Sequence, residues 1–556
     1  MRHCLAVMFR FECSNEGLVV NRRSIRYERR MIKPRRTLKI LLATIVIGFS
    51  TLSAHAQSGP VDLTRLHWTS GEHWLMSVPV EMTGTFTHVG AISFRSWDQE
   101  GMTQRPHDDL GLLRLNLSPK LVATGNTWPV FQHYIAEVEL EAREYISDSG
   151  ADLQGVDSVD PGRISRSGWS DARLLQAYVQ AVGEHWALKA GLSRSHWGAG
   201  MLSNSHRASK ANVFSSPFGA SPYVDRFFRA QLVSFPWGSK KHGTKRYTPL
   251  TVALAGDATL DDGSSDWLAG DRSYTAIGAL IAEFPSGTSG LYVAHRIQDH
   301  GQGGQTEATA IDLTADFSLH FGKTRLRMMG EAALVVGSTD YAQSVFTEGA
   351  HDILSHGGVA RLGVVHGIFE GVLEGGWASG DDTPYDQTVR SFSFSSGYRV
   401  GVLMFNEVIR TSAAASALNI ADPDLRDVAP RALDKVTHRG GVREAIYVNP
   451  RVALHPTKDL HVMAGFLYAR SFGEYTDPFW SSLVGGVSAG PNGAVKQSDL
   501  GYELDVAVQY DFNLENLSLG LRGEFAYFVP GRVFDLPNGE RAADVIGAGL
   551  QLEARL

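Results

Sequence analysis

The stretch Ile546–Leu556, IGAGLQLEARL, sets Ile546, Ala548, Leu550, Leu552, Ala554 and Leu556 at every second position, with Gly547, Gly549, Gln551, Glu553 and Arg555 between them. Successive side chains of a strand point to opposite faces, so this stretch reads as a strand with one apolar and one polar face. An amphipathic strand with a free edge is a template for unwanted pairing. A sheet that closes on itself removes that edge. The expectation is therefore a barrel whose last strand pairs with its first.

Working outward, the same alternation recurs. Val138, Leu140 and Ala142 alternate with Glu137, Glu139, Glu141 and Arg143. Ile311, Leu313, Ala315, Phe317, Leu319 and Phe321 alternate with Asp312, Thr314, Asp316, Ser318 and His320. Tyr502, Leu504, Val506, Val508 and Tyr510 alternate with Glu503, Asp505, Ala507, Gln509 and Asp511. The last row carries a tyrosine at each end, where aromatic girdles meet lipid headgroups, and its length suits a tilted membrane-crossing strand. A soluble β-sandwich also alternates, but its strands are shorter and its buried face is not bracketed by aromatics. The fold class expected is all-β, a transmembrane antiparallel β-barrel.

Connector lengths supply the topology. Short links at 182–186, 284–290, 320–323, 365–368, 455–459 and 512–516 read as periplasmic turns. Long ones at 90–109, 147–170, 199–224, 259–272, 338–353, 472–499 and 530–543 read as extracellular loops. Counting Tyr398–Ser416 as a strand makes 19 and breaks antiparallel parity. Val402, Phe405, Ile409 and Ala413 instead fall at helical spacing, so the piece reads as a short amphipathic helix inside a large loop, 380–441. That leaves 18 strands and a loop suited to enter the lumen; a pair of extra strands, making 20, is the alternative.

Ahead of the barrel, Lys33, Arg35, Arg36 and Lys39 precede the apolar run Ile40–Phe49 and the small-x-small site Ala54-His55-Ala56. This pattern reads as a secretory signal peptide, 31–56, with the cut expected after Ala56. Arg35-Arg36 alone offers a twin-arginine alternative, but a barrel that must travel unfolded suits the ordinary route. Residues 1–30 read as an extension from a misassigned start codon, 57–75 as a short periplasmic segment, and 76–556 as the barrel. Both cysteines, Cys4 and Cys13, precede the cleavage site, so disulfides, thiol nucleophiles, cysteine metal sites and a lipid anchor are excluded from the mature chain. Without the 11 basic and 3 acidic residues of 1–56, 41 basic and 56 acidic residues remain, a net of −15, unlike a nucleic-acid binder. No apolar run reaches the length of a membrane helix.

Residues Glu374–Asp382, EGGWASGDD, with the YRVGVLMF stretch from Tyr398, resemble the alginate-export type of large outer-membrane porin. Residues Gly191–Gly200, GLSRSHWGAG, are similar to the Trp-Gly-x-Gly strand ends of porin-like barrels and capsule-assembly outer-membrane proteins. Ile546–Leu556 itself resembles the C-terminal signal read by the barrel-insertion machinery, although it closes on Leu556 rather than on an aromatic residue. The resemblance implies an 18-stranded monomeric barrel exporting an acidic polysaccharide through an arginine-rich lumen.

Inward parity places Arg114, Arg229, Arg325, Arg327, Arg443, Arg451 and Arg522 in the lumen, together with Glu137, Glu139, Glu141, Asp312, Asp316, Glu331, Glu503, Asp505 and Glu524. A charge facing lipid costs a few kcal/mol, so the lumen is where these residues belong. Opposed rows of Arg and Glu order water and favour small polar solutes. Arg325 and Arg327 share one face of one strand and are the pair suited to anions; a salt-bridge ladder is the structural alternative. Asp261, Asp262 and Asp266, and Asp381, Asp382 and Asp386, lie in two acidic loops with calcium-type oxygens but no calcium-loop spacing.

A barrel hydrolase would need a nucleophile and a histidine within hydrogen-bond reach, and His196, Asn204, Ser205 and His206 form no recognised motif of that kind. Trp68, Trp74, Trp197 and Trp377 read as interface anchors. The functional expectation is a passive channel needing no cofactor, in contact with outer-membrane lipid and passing small hydrophilic solutes or polysaccharide. The alternative is a plugged, lectin-like surface barrel.

Overall fold

The computed structural model describes residues 68–555 apart from 71–73, 95–102, 106–107, 125–132, 148–170, 205–213, 215–217, 219–224, 243–244, 263, 302, 342–348, 384–385, 413–439, 478–479, 482–488 and 515–516. The expected signal peptide and upstream extension, Ser205 and His206 lie outside the described residues, as do the side chains of Trp68 and Trp74. The wall is built from 18 strands: β1 (Val80–Val89), β2 (Asp108–Leu117), β3 (His133–Ser147), β4 (Asp171–Val182), β5 (Trp186–Ser193), β6 (Arg226–Ser234), β7 (Leu250–Asp261), β8 (Arg272–Phe284), β9 (Gly287–Asp299), β10 (Gln305–Phe321), β11 (Thr324–Thr339), β12 (His351–His366), β13 (Phe369–Ala378), β14 (Ala445–Leu454), β15 (Leu460–Ser471), β16 (Asp499–Leu514), β17 (Leu517–Pro530) and β18 (Val545–Arg555). Each pairs antiparallel with the next.

β18 pairs antiparallel with β1, from Gly547↔Val89 to Arg555↔Glu81, and the sheet is closed. Below that seam the wall continues with a short strand, Trp74–Ser77, in the same register against Lys120–Thr124. Two prolines interrupt this region because each removes a ladder donor. Their carbonyls still accept: Ser118 donates to Pro79 and Val138 to Pro119, both at 3.0 Å. Trp68–Ser70 folds back on Trp74–Ser77.

Alternation translates into two surfaces. Tyr502, Leu504, Val506, Val508 and Tyr510 are 39–47% exposed, whereas Glu503, Asp505 and Ala507 between them are at most 1% exposed. The apolar face of β16 therefore looks outward and its charged face inward, the inverse of a soluble sandwich. A closed sheet with an apolar exterior satisfies every ladder bond without water, which makes it a transmembrane barrel of the outer-membrane type.

The short turns and long loops segregate to opposite ends. Two connectors depart from the sequence reading: the link 300–304 on the long-loop side is short, and 235–249 on the short-turn side carries its own hairpin, Lys240–His242 with Lys245–Tyr247. Among the described residues between Ala378 and Ala445, only the two-residue strand Thr388–Val389 pairs with the wall, parallel to β12, and Met404–Ile409 is a widely wound helical turn, with the Val408 amide bonded five residues back to Leu403 at 3.0 Å.

Val506→Arg puts a cation on the lipid face at mid-strand and should cost about 2–4 kcal/mol. Gln551→Arg, on the inward face of β18, should cost little. Denaturant titration of both variants in lipid vesicles measures the difference.

Candidate functional site

The lumen is the site, and two segments of chain enter it. The first follows β5. Trp197 turns inward, its indole N–H donating to Asp312 at 3.1 Å and its ring centroid lying 5.2 Å from that of Tyr292. It is buried and not an interface anchor, which corrects the sequence reading; a strand end alone does not reveal which way the next residue turns. The amides of Ala199, Met201 and Leu202 then converge on the Glu331 carboxylate of β11, the latter two at 3.2 and 3.3 Å. Gly198 makes this possible: it has φ +53°, and a Cβ there would lie 2.5 Å from Glu331 Oε2.

The second segment repeats the device. The amides of Val402, Leu403 and Met404 donate to Glu503 of β16 at 2.5, 2.8 and 2.6 Å. Gly401, at φ +70°, brings the backbone so close that a Cβ would lie 2.8 Å from Glu503 Oε1. Runs of convergent backbone N–H groups form anion-binding nests, and here the anion is the wall's own carboxylate. Leu403, Met404 and Phe405 are fully buried, and Leu403 packs on Gly547 of β18, where only a glycine leaves room. The two segments meet where the Ser395 amide donates to Met201 O at 2.6 Å.

A buried polar cluster fixes the second segment to the adjoining strands β12, β13 and β14 as well. Glu374 of β13 accepts from Arg361 at 2.8 Å, Arg451 at 2.7 Å, Tyr398 at 2.8 Å and Tyr447 at 2.7 Å. Arg361 also donates to the Tyr398 hydroxyl at 2.6 Å. Two guanidiniums on one carboxylate, with two phenols filling its remaining lone pairs, is the arrangement a buried charge requires. Phe214 lies 4.0 Å from the Arg327 guanidinium, and Phe218 packs on Gly465.

Most inward charges are matched. Arg229 holds Asp257 with two bonds of 2.7 Å, and Arg327 holds Asp316 at 2.6 and 3.0 Å. Arg522 pairs with Glu524, Glu141 with Arg143, and Glu139 with Arg194. Glu137 accepts from Tyr178 at 2.8 Å and faces Lys120 at 3.5 Å. Arg114 stands in register with Arg143. Arg325 faces the lumen at the short-turn end and is exposed, whereas Arg451 is buried. Asp505 sits beside Glu503, with 1% exposure.

Arg443 is not on the wall: β14 begins at Ala445, and the left-handed backbone of Glu444, φ 49°, breaks the alternation that parity assumed. Arg443 pairs with Glu444 at 3.0 Å and bridges to Ser393. Sequence reading missed Arg361, Glu374 and Tyr398. Arg361 and Glu374 have inward parity and were legible; Tyr398 was not, because a loop has no parity.

The acidic loops spend their oxygens on their own turns. Asp262 accepts from the Ser264 and Ser265 amides and from Arg296, Asp261 from Arg226, and Asp266 from the Leu268 and Ala269 amides. Asp381 accepts from the Thr383 and Arg390 amides, and burial pushes its carboxyl up. Burial acts the same way on Asp386, but the Thr388 amide, Arg390 and Thr383 outweigh it and hold that carboxyl below its ordinary value. The backbone of Asp382 accepts from Lys496. Among the described residues no three His, Cys, Asp or Glu side chains are placed to hold a metal ion. Of the hydrolase residues, Asn204 bonds Gly200 O at 3.5 Å.

No family model and no curated protein matches the chain. Solved structures do resemble it: a BenF-like porin from Pseudomonas fluorescens Pf-5 (TM-score 0.48, 11% identity), Pseudomonas aeruginosa OccK9 (OpdG; 0.48, 14%) and Pseudomonas aeruginosa OpdK with vanillate (0.46, 12%). Each alignment covers 86% of this chain and 98% of the other.

Glu503→Ala leaves three buried amides without their acceptor, at about 1–3 kcal/mol each. Limited proteolysis within 391–412 should speed up about tenfold or more, since 1.4 kcal/mol is one decade; an unchanged rate shows that the carboxylate is not the anchor.

Proposed function

We propose that the protein is a channel of the outer membrane that passes small hydrophilic solutes through a lumen narrowed by segments 194–204 and 391–412. The observation that carries this reading is the contrast along the inward face. Toward the long-loop end the wall charges are sealed under the two segments. Toward the short-turn end they stay hydrated, with Arg327 and Asp316 side chains 30% and 28% exposed and Arg325 and His320 more open still. Paired positive and negative rows at a constriction orient water and admit polar solutes while excluding apolar ones. The lumen lends no support to passage of a polymer, because the two segments meet through Ser395 and Met201 inside it.

A plugged surface barrel is the second reading, favoured by the complete burial of Leu403, Met404 and Phe405. Planar-bilayer recording separates the two. A channel gives steady current steps from the wild-type protein, and deleting 392–412 raises the unit conductance by about twofold or more, since the segment occupies the lumen cross-section. Silence from folded wild type together with current from the deletion variant establishes the plugged barrel instead.

A further inference from the structure

At the short-turn mouth of the lumen, four inward side chains from adjoining strands stand together. Glu370 lies on β13, His455 immediately follows β14, His461 lies on β15 and Asp511 on β16. His455 Nδ1 is 2.7 Å from His461 Nδ1, with the rings crossing at 71°. Their outer nitrogens face carboxylates: His455 Nε2 lies 3.5 Å from Glu370 and His461 Nε2 lies 3.7 Å from Asp511. Asp511 also accepts from Gln509 at 2.9 Å.

Counting protons gives the arrangement that satisfies every contact in this row. An Nδ1–Nδ1 hydrogen bond needs one donor and one bare lone pair. Each Nε2 facing a carboxylate is best protonated, because a lone pair aimed at an anion is repelled. Three protons on the four ring nitrogens meet both demands, and the pair then carries one positive charge between two negative ones. A fourth proton removes the lone pair on which the central bond depends, so the rings must part, and the row changes from net negative to neutral. The other charges near it include Lys458 and Asp459 in the same turn, Arg522 with its partner Glu524 on β17, Glu553 with its partner Arg555 on β18, and Arg325 on β11. None of these carries an imidazole. Histidine is the side chain whose ordinary pKa, about 6.5, makes such a step accessible near neutral pH.

We propose that the His455–His461 pair, set between Glu370 and Asp511, is a proton-carrying selectivity element at the periplasmic mouth: it gains positive charge on acidification, turning the mouth away from cations. The proposal rests on the channel reading. Its test is the reversal potential of the full-length protein in a planar bilayer under a KCl gradient, from pH 8 to pH 5. The K⁺/Cl⁻ permeability ratio should fall about two- to threefold across that range, with its midpoint near the histidine range. His455→Gln and His461→Gln should each flatten the curve. His366→Gln, which removes an exposed histidine at the same end of the barrel but of outward parity on β12, should leave it unchanged. A ratio independent of pH in wild type, or a curve that survives both Gln variants, overturns the inference while the channel stands. A folded wild-type protein that passes no current overturns the channel reading and this one with it.

Discussion

Hydrocarbon offers backbone amides and carbonyls nothing to bond, so a sheet exposed to it must satisfy every ladder group within itself. Pairing of β18 with β1 meets that demand here, and the rest of the molecule follows from it. Closure leaves no edge, which lets each strand turn an apolar face outward without inviting another chain. Prolines obey the constraint too: the carbonyls of Pro79 and Pro119 still receive a donor, and beside Pro450, where the β14–β15 ladder lapses, the Asn449 side-chain amide donates to Phe466 O at 2.9 Å.

Closure also creates an interior that is neither core nor bulk water, and the chain fills part of it with its own backbone. Buried amides are costly unless they are bonded. Glu331 and Glu503 solve that problem on two different strands in the same way, each gathering three amides beside a glycine in the left-handed region. The wall charges thus have two uses. Some hold inserted chain, as Glu374 does with Tyr398, and others, such as Arg327 with Asp316, remain wet. The inward face is thus covered by anchored chain toward one end of the barrel and open to water toward the other.

The alternation that organised β10, β16 and β18 is a local property, set by backbone geometry and readable without any partner. Reading it was enough to place Asp312, Glu503 and Asp505 on one face and Leu504 and Val506 on the other. It failed where alternation itself failed. Arg443 was assigned by extrapolating parity across Glu444, whose left-handed backbone resets the phase. Trp197 was assigned by its nearness to a strand end, yet it turns inward to Asp312 because Glu331 captures the amides that follow it.

The strand faces, the number of crossings and the outward girdle were decided by the sequence alone, because period-two patterning and turn length act over neighbouring residues. The tertiary structure alone decided which inward charges meet, which carboxylates anchor inserted chain, and that His455 and His461 face each other between Glu370 and Asp511. Those contacts join residues on different strands and loops, and no periodicity encodes a distance across a closed sheet. Only the curvature and register of the finished wall bring such groups within bonding reach.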